Sequence, residues 1–416
     1  SACLVGSEMC IRDRFFLLSG NFACTDDYDF RPYEPEKSTV QELTLLKYNF
    51  LADGETALAD FSNIENYGSW VLDERGLTFD GQDDAALYLG LDRRITFEER
   101  VTRVRLSLFD DTRFGLHWLE RDGSGGSLFT VDAAEGTLNI HTYRDEAKVE
   151  SSVSFPVENG HVYTLEAVKS FRSNTFTITD ETTGATASVA TASELDSNTG
   201  GNTIQQNEFK GGRQNNVFGM RRLSGKSPYI KQVEIAATVA SEPLMYIIGN
   251  SITEGDHIRE SARYGQVMAS WLNGRVVFSG QSGSTIDGVL VRVANEIPVI
   301  RPKYVMVTIG TNGGNTREKL VELVELIRSY GAIPVLNRIP VKSDDSSYAV
   351  NETIGSVCDE LEVASCRFDL ATAYEGDTHR QDASMFQSDL LHPSVEGNYA
   401  MAKRLFDIPG ILLHTK

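Results

Sequence analysis

The apolar pattern changes period near residue 240, and no other feature constrains the fold so strongly. From about Leu43 to Ala237 apolar residues fall at every second position: Val104, Leu106 and Leu108 alternate with Arg103, Arg105 and Ser107, and Tyr163 and Leu165 with Thr164 and Glu166. Phe176 with Ile178, and Val233 with Ile235, repeat the pattern. Successive side chains of a strand point to opposite faces, so this alternation marks half-buried strands. Gly123, Gly125, Gly126 and Gly184 punctuate the segments, residues 193–202 read as a long polar loop, and long helical patterns are lacking. Many short antiparallel strands predict a β-sandwich of the jelly-roll type, two sheets sharing one core.

After Pro243 short apolar runs alternate with amphipathic stretches. Strands are expected at 244–248, 275–278, 304–309 and 333–336, and helices at 257–272, 285–297, 316–330, 351–361 and 394–406. This order predicts an α/β domain of three layers, a mostly parallel sheet covered by helices on both faces. Ligands of such sheets bind at the carboxyl ends of the strands. With 416 residues the chain exceeds one ordinary core, so two domains are expected, 15–240 and 241–416.

Lys and Arg number 39 against 59 Asp and Glu, a net charge of -20. That balance argues against nucleic acid and anionic membranes as partners, because both require a positive footprint. Apolar runs are all far shorter than the roughly 18 residues a membrane span needs. Residues Cys3 to Arg14 resemble a peptide that arises when sequencing-adapter DNA is translated, so residues 1–14 are expected to be an artefact or a tail, with the native start missing. A secreted or periplasmic location is expected. Setting those residues aside leaves Cys24, Cys358 and Cys366. There is no zinc-spaced cluster, and no metal or cofactor is expected. Cys358 and Cys366 read either as a local disulfide or as two small core residues.

Polar motifs follow the strands. Ser251, in Gly249-Asn250-Ser251-Ile252-Thr253-Glu254-Gly255, comes just after the first, where a hydroxyl can face the crevice and a backbone N–H can meet a developing oxyanion. The plainer reading is a helix start capped by Ser251 or Thr253. Gly280-Gln281-Ser282-Gly283 follows the second strand and Gly310-Thr311-Asn312 the third, supplying a closely approaching backbone N–H and a neutral amide donor. Near the C-terminus, Asp389 precedes His392 by three residues and Pro393 follows. His392 can accept the Ser251 proton and Asp389 can hold the imidazole, provided that the intervening residues turn.

These blocks, serine, glycine, asparagine and Asp-x-x-His in that order over 243–407, resemble the SGNH, or GDSL-like, hydrolase family. The resemblance implies Ser251 as nucleophile, His392 as base, Asp389 as its partner, and the Ser251 N–H, the Gly283 N–H and the Asn312 side chain as an oxyanion hole. Gly280 competes with Gly283 for the glycine role, and Gly283 is preferred. Asn250 stands where the family commonly has Asp, which removes one negative charge beside the site.

The sandwich joined to such a domain resembles enzymes that remove acetyl groups from polysaccharides. The expected function is therefore a serine esterase acting on small acyl esters of a carbohydrate. The alternatives are an esterase or thioesterase for soluble metabolites, and a glycan-binding protein with an inactive hydrolase scaffold, for which Tyr143, Trp118 and Tyr163 are the available aromatics. Asp256 and His257 are read as capping or rim residues, Arg338 as a substrate contact or surface packing, His379 and Arg380 as part of a cover over the crevice, and Trp271 as core.

Overall fold

The computed structural model describes residues 40–62, 69–81, 83–90, 95, 97, 99–120, 125–144, 147–169, 174–191, 215–255, 258 and 260–415. The proposed artefact at 1–14, Cys24, the polar loop at 193–202, Asp256 and His257 lie outside them. The described residues belong to one compact unit.

Up to residue 240 all the described strands are antiparallel. In chain order they are β1 (Val40–Asn49), β2 (Phe61–Ser62), β3 (Ser69–Asp73), β4 (Gly76–Asp80), β5 (Ala85–Leu89), β6 (Arg100–Ser107), β7 (Arg113–Glu120) and β8 (Gly125–Asp132). They continue with β9 (Thr137–Arg144), β10 (Ala147–Ser154), β11 (Val162–Lys169), β12 (Asn174–Asp180), β13 (Thr186–Thr191), β14 (Asn215–Ser224) and β15 (Tyr229–Ala240). One sheet runs β13-β12-β11-β6-β15-β4-β3, with β1 also on β15; the other runs β10-β9-β8-β7-β14-β5-β2. Alternation sets their inward faces. Tyr163 and Leu165 of β11 pair with Leu106 and Val104 of β6, and all four are fully buried. Facing them across the core are Phe114, Leu116 and Trp118 of β7 and Phe129 of β8. Phe129 meets Phe176 of the opposite sheet with ring centroids 5.6 Å apart. The apolar cluster continues without a break into the rest of the chain.

From residue 245 the chain alternates strand and helix: β16 (Met245–Gly249), α1 (Ser251–Glu254), α2 (Tyr264–Trp271), β17 (Val276–Gly280), α3 (Ile286–Ile300), β18 (Tyr304–Thr308), α4 (Arg317–Ser329), β19 (Ile333–Leu336), α5 (Ser346–Leu361) and α6 (Phe368–Ala371). A hairpin of β20 (Ala373–Tyr374) and β21 (Asp377–Gln381) precedes the last helix, α7 (Val395–Lys403). The strands form a parallel sheet in the order β17-β16-β18-β19. Helices cover both faces, so the central strands β16 and β18 bury every residue: Tyr246 reaches Glu296 on α3, whereas Ile247 lies on the side where Gly265 of α2 packs. The expected helix at 257–272 is shorter, because a 3-10 turn at Glu260–Ala262 precedes α2 and Arg263 is its extended N-cap.

In-register pairing puts Gly249 opposite Gly280 on one side and Thr308 on the other. Three strands thus end level, and the three following loops share one edge. A Cβ on Gly280 would sit 2.3 Å from the Glu254 backbone nitrogen in α1. Backbone does not give way there, so Gly280→Ala is expected to cost about 1–3 kcal/mol, read as a lower urea midpoint; an unchanged midpoint would contradict this packing.

Candidate active site

The side chain that starts α1 is Asn250, not Ser251 or Thr253 as expected for the cap. Its Oδ1 accepts the Ile252 N–H at 3.0 Å, and its backbone is extended, as at an N-cap. Thr253 is engaged elsewhere, its Oγ1 2.8 Å from the Tyr264 hydroxyl. Ser251 therefore occupies the first helical position with its hydroxyl not needed for capping. It is buried, with 5% of its surface exposed, and its N–H belongs to the first turn, where no intrahelical acceptor exists.

The hydroxyl is used by a residue 141 positions away: Ser251 Oγ lies 3.0 Å from His392 Nε2. On the other side of the ring, His392 Nδ1 lies 2.6 Å from Asp389 Oδ2. Asp389 Oδ1 accepts the N–H groups of Leu391 and His392, each at 3.0 Å. The turn this requires is present. Leu390 has φ of 52°, and the Gln387 N–H closes the loop onto the His392 carbonyl at 2.9 Å. Burial opposes ionisation of Asp389, but the hydrogen bonds from His392 and the two amides outweigh it and hold the carboxyl below its usual 3.8. An ionised Asp389 favours the proton on Nδ1 and leaves Nε2 as the acceptor for a hydroxyl proton.

Two further loops flank this chain of contacts. In the turn after β17, Gly283 has φ of 74° and open space where a Cβ would be, in contrast to Gly280, which is packed against α1. After β18, the Asn312 amide donates to the Ser284 carbonyl at 2.9 Å, joining the second and third loops. One Asn312 N–H remains beyond that bond. The structure thus brings Ser251, His392 and Asp389 into direct contact, and places Gly283 and Asn312 on the adjoining strand ends, linked to each other through Ser284.

Other sequence expectations fare differently. Arg338 is engaged by packing partners: its guanidinium lies 3.6 Å from Glu352 on α5 and 3.8 Å from Asp369 and packs against Gly355. Trp271 is only half-buried, stacked on Phe406 at 5.4 Å. Cys358 and Cys366 are free, buried thiols rather than a disulfide. Trp118 and Tyr163 are fully buried in the sheet core and present no face to a glycan; the Tyr143 side chain lies outside the described residues. His379 and Arg380 sit on β21. His379 stacks on Tyr348 at 3.7 Å, and Arg380 lies over Tyr374.

Sequence reasoning missed three supports. Gln381 Nε2 donates to the carbonyls of Val341 and Leu390, at 2.7 and 2.9 Å, tying the β20–β21 hairpin to the Asp389 loop. Asn398 on α7 accepts the Tyr264 N–H at 3.0 Å and donates to the Pro393 carbonyl at 3.0 Å, fixing the His392 loop to α2. Arg292 on α3 is buried beneath the loops. Only the last left a signal, a charged residue on a helix face whose other buried residues are apolar except Glu296.

Among the described residues no group of His, Cys, Asp and Glu could hold a metal ion, and no helix is long and apolar enough to cross a membrane. Residues 247–400 match the model of the GDSL-like Lipase/Acylhydrolase family. The C-terminal region carries a domain of that family, a hydrolase domain of the SGNH type. No curated protein matches the chain. Solved structures similar to it include a GDSL-like lipase from Bacteroides thetaiotaomicron, 17% identical over 40% of this chain and 88% of that one, with a TM-score of 0.34. An esterase from Pseudoalteromonas sp. is 16% identical over 40% and 96%, TM-score 0.34. An acetylxylan esterase from Geobacillus stearothermophilus is 16% identical over 41% and 95%, TM-score 0.34.

Because the native pKa of Asp389 lies below 3.8, its stabilisation is complete above that pH and is lost as pH falls through the native value. Wild type should therefore be more stable than Asp389→Asn at neutral pH, with the urea midpoints converging below about pH 3.8. A gap that stays constant with pH would show that Asp389 is not held ionised by His392.

Proposed function

We propose that the protein is a serine esterase that removes small acyl groups, acetyl foremost, from a carbohydrate. The observation that carries the proposal is the continuous contact from Ser251 Oγ through His392 to Asp389. In this reading His392 Nε2 takes the Ser251 proton as Oγ attacks the ester carbonyl. The Ser251 N–H, the Gly283 N–H and the remaining Asn312 amide N–H stabilise the oxyanion. His392 then gives its proton to the departing alcohol, and a water, deprotonated in turn by His392, attacks the acyl-enzyme to release the acid and restore Oγ–H. Asp389 holds the ring in the required tautomer and stabilises the imidazolium without itself taking the proton.

The carbohydrate half of the proposal is supported by the polar, aromatic rim beside the Asp389 loop. Tyr374, His379 and Arg380 of a hairpin tied to Leu390 gather there with Tyr348 of α5. Aromatic faces with polar tips suit a hydroxylated ring better than an acyl chain. In the same reading the two antiparallel sheets are a sandwich of the jelly-roll type that orients the polymer toward the crevice.

Ser251→Ala is expected to stay folded and to lower acetate release from acetylated xylan or pectin by at least about 10³-fold. Acetate quantified after incubation with purified protein checks this. Retained release would sink the assignment of Ser251, and cleavage of p-nitrophenyl acetate without release from any acetylated glycan would sink the carbohydrate substrate.

A further inference from the structure

The helix that follows the Gly283 turn buries Ile286, Val289, Val293 and Ile297 on one face, and Arg292 and Glu296 lie on the same face, each 4% exposed. A cation in such surroundings is costly unless its donors are used. Burial lowers the Arg292 pKa, and Tyr246, Glu296 and Glu254 act in the opposite direction. Where its donors go is informative. One terminal nitrogen reaches the Ser279 carbonyl and hydroxyl, at 2.5 and 2.9 Å. The other reaches the Gly249 carbonyl at 2.7 Å and the Ser284 hydroxyl at 3.2 Å. Gly249 ends the strand that delivers Ser251; Ser279 lies in the strand that delivers the Gly283 turn; Ser284 follows Gly283 and accepts the Asn312 amide. One planar guanidinium therefore spans the structural supports of the nucleophile and of both proposed external oxyanion donors.

The same turn is gripped from its other side. Glu254, in the last position of α1, accepts the Ser282 N–H at 2.5 Å. A carboxylate from the helix that begins at Ser251 and a cation from the helix that follows thus clasp residues 281–284 between them.

We propose that Arg292 is a positioning residue for acyl transfer: by binding Gly249, Ser279 and Ser284 together it fixes the Gly283 turn relative to Ser251. The proposal rests on the assignment of Ser251 and Gly283 made under Proposed function. Arg292 touches no reacting atom in this account; it acts through the turn. A misplacement of one oxyanion donor by about 1 Å can cost on the order of 10²-fold in rate. A purely structural cation would instead contribute to stability alone.

The test compares full-length wild type, Arg292→Lys, Arg292→Met and Ser284→Ala in p-nitrophenyl acetate hydrolysis and thermal melting. A lysine retains the charge but not the fork. Arg292→Lys is expected to melt near wild type, with kcat reduced on the order of 10²-fold and KM within about threefold. Arg292→Met should show at least the same loss in kcat. Ser284→Ala removes a single contact and leaves the backbone donors in place, and should lower kcat about fivefold at unchanged KM. A folded Arg292→Lys with wild-type kcat, or a change confined to KM, overturns the proposal. If the Arg292 variants do not fold, Ser284→Ala decides alone, and wild-type kcat in it overturns the proposal. Wild type inert toward the ester, or Ser251→Ala still active, brings down the acyl-transfer reading itself and the positioning role with it.

Discussion

Everything at the candidate site depends on the in-register parallel pairing of β16 with β17 and β18. Parallel strands all run the same way, so the loops leaving their carboxyl ends gather on one edge. The pairing of Gly249 with Gly280 and with Thr308 makes the three strands end level. Level ends bring the loops of Ser251, Gly283 and Asn312 side by side. A one-residue slip would reverse every strand side chain between the two helix layers, moving Tyr246 off α3 and Ile247 off α2, so the buried cores on both faces enforce the register.

On that edge, chemistry and packing compete for the same few residues, and the competition is resolved by dividing the work. Asn250 caps α1, which leaves the Ser251 hydroxyl to His392. It does so as a neutral amide, so the nucleophile lies beside no additional carboxylate at that position. Gly280 is occupied with packing against α1, while Gly283 has no such duty. The Thr308 hydroxyl links the Tyr264 hydroxyl to the Asn337 amide, at 3.1 and 2.8 Å, a buried polar ladder under the strand ends.

What could be read from the sequence follows from the range of each interaction. The four parallel strands were legible to within a residue or two because each is a short apolar run with no competing periodicity. Ser251, Asp389 and His392 were legible as a set because their local contexts, a βα turn and a three-residue spacing, each carry part of the geometry. Their contact across 141 residues was expected from the order of the blocks and the family resemblance rather than from any local pattern, since it depends on α7 docking beside α2. The helix expected over 257–272 begins only at Tyr264, because a 3-10 turn at Glu260–Ala262 and the extended backbone of Arg263 precede it. Arg338 was ambiguous, because its position after β19 says nothing of the tertiary partners, Glu352 and Asp369, toward which it turns. Arg292 shows the converse: a charge on a largely apolar helix face is visible in sequence, but its four acceptors come from two strand ends and a loop that only the fold brings together.

The central claim is that Ser251 is the attacking nucleophile, activated through His392. The most direct measurement is mass spectrometry of the protein after incubation with a small alkyl phosphonofluoridate, a reagent that traps an activated serine as a tetrahedral phosphonyl ester. The account predicts one stoichiometric adduct, mapped to the peptide containing Ser251, whose formation slows sharply in His392→Ala. A label on another residue, or ester cleavage that continues with Ser251 unmodified and the reagent consumed elsewhere, would contradict it.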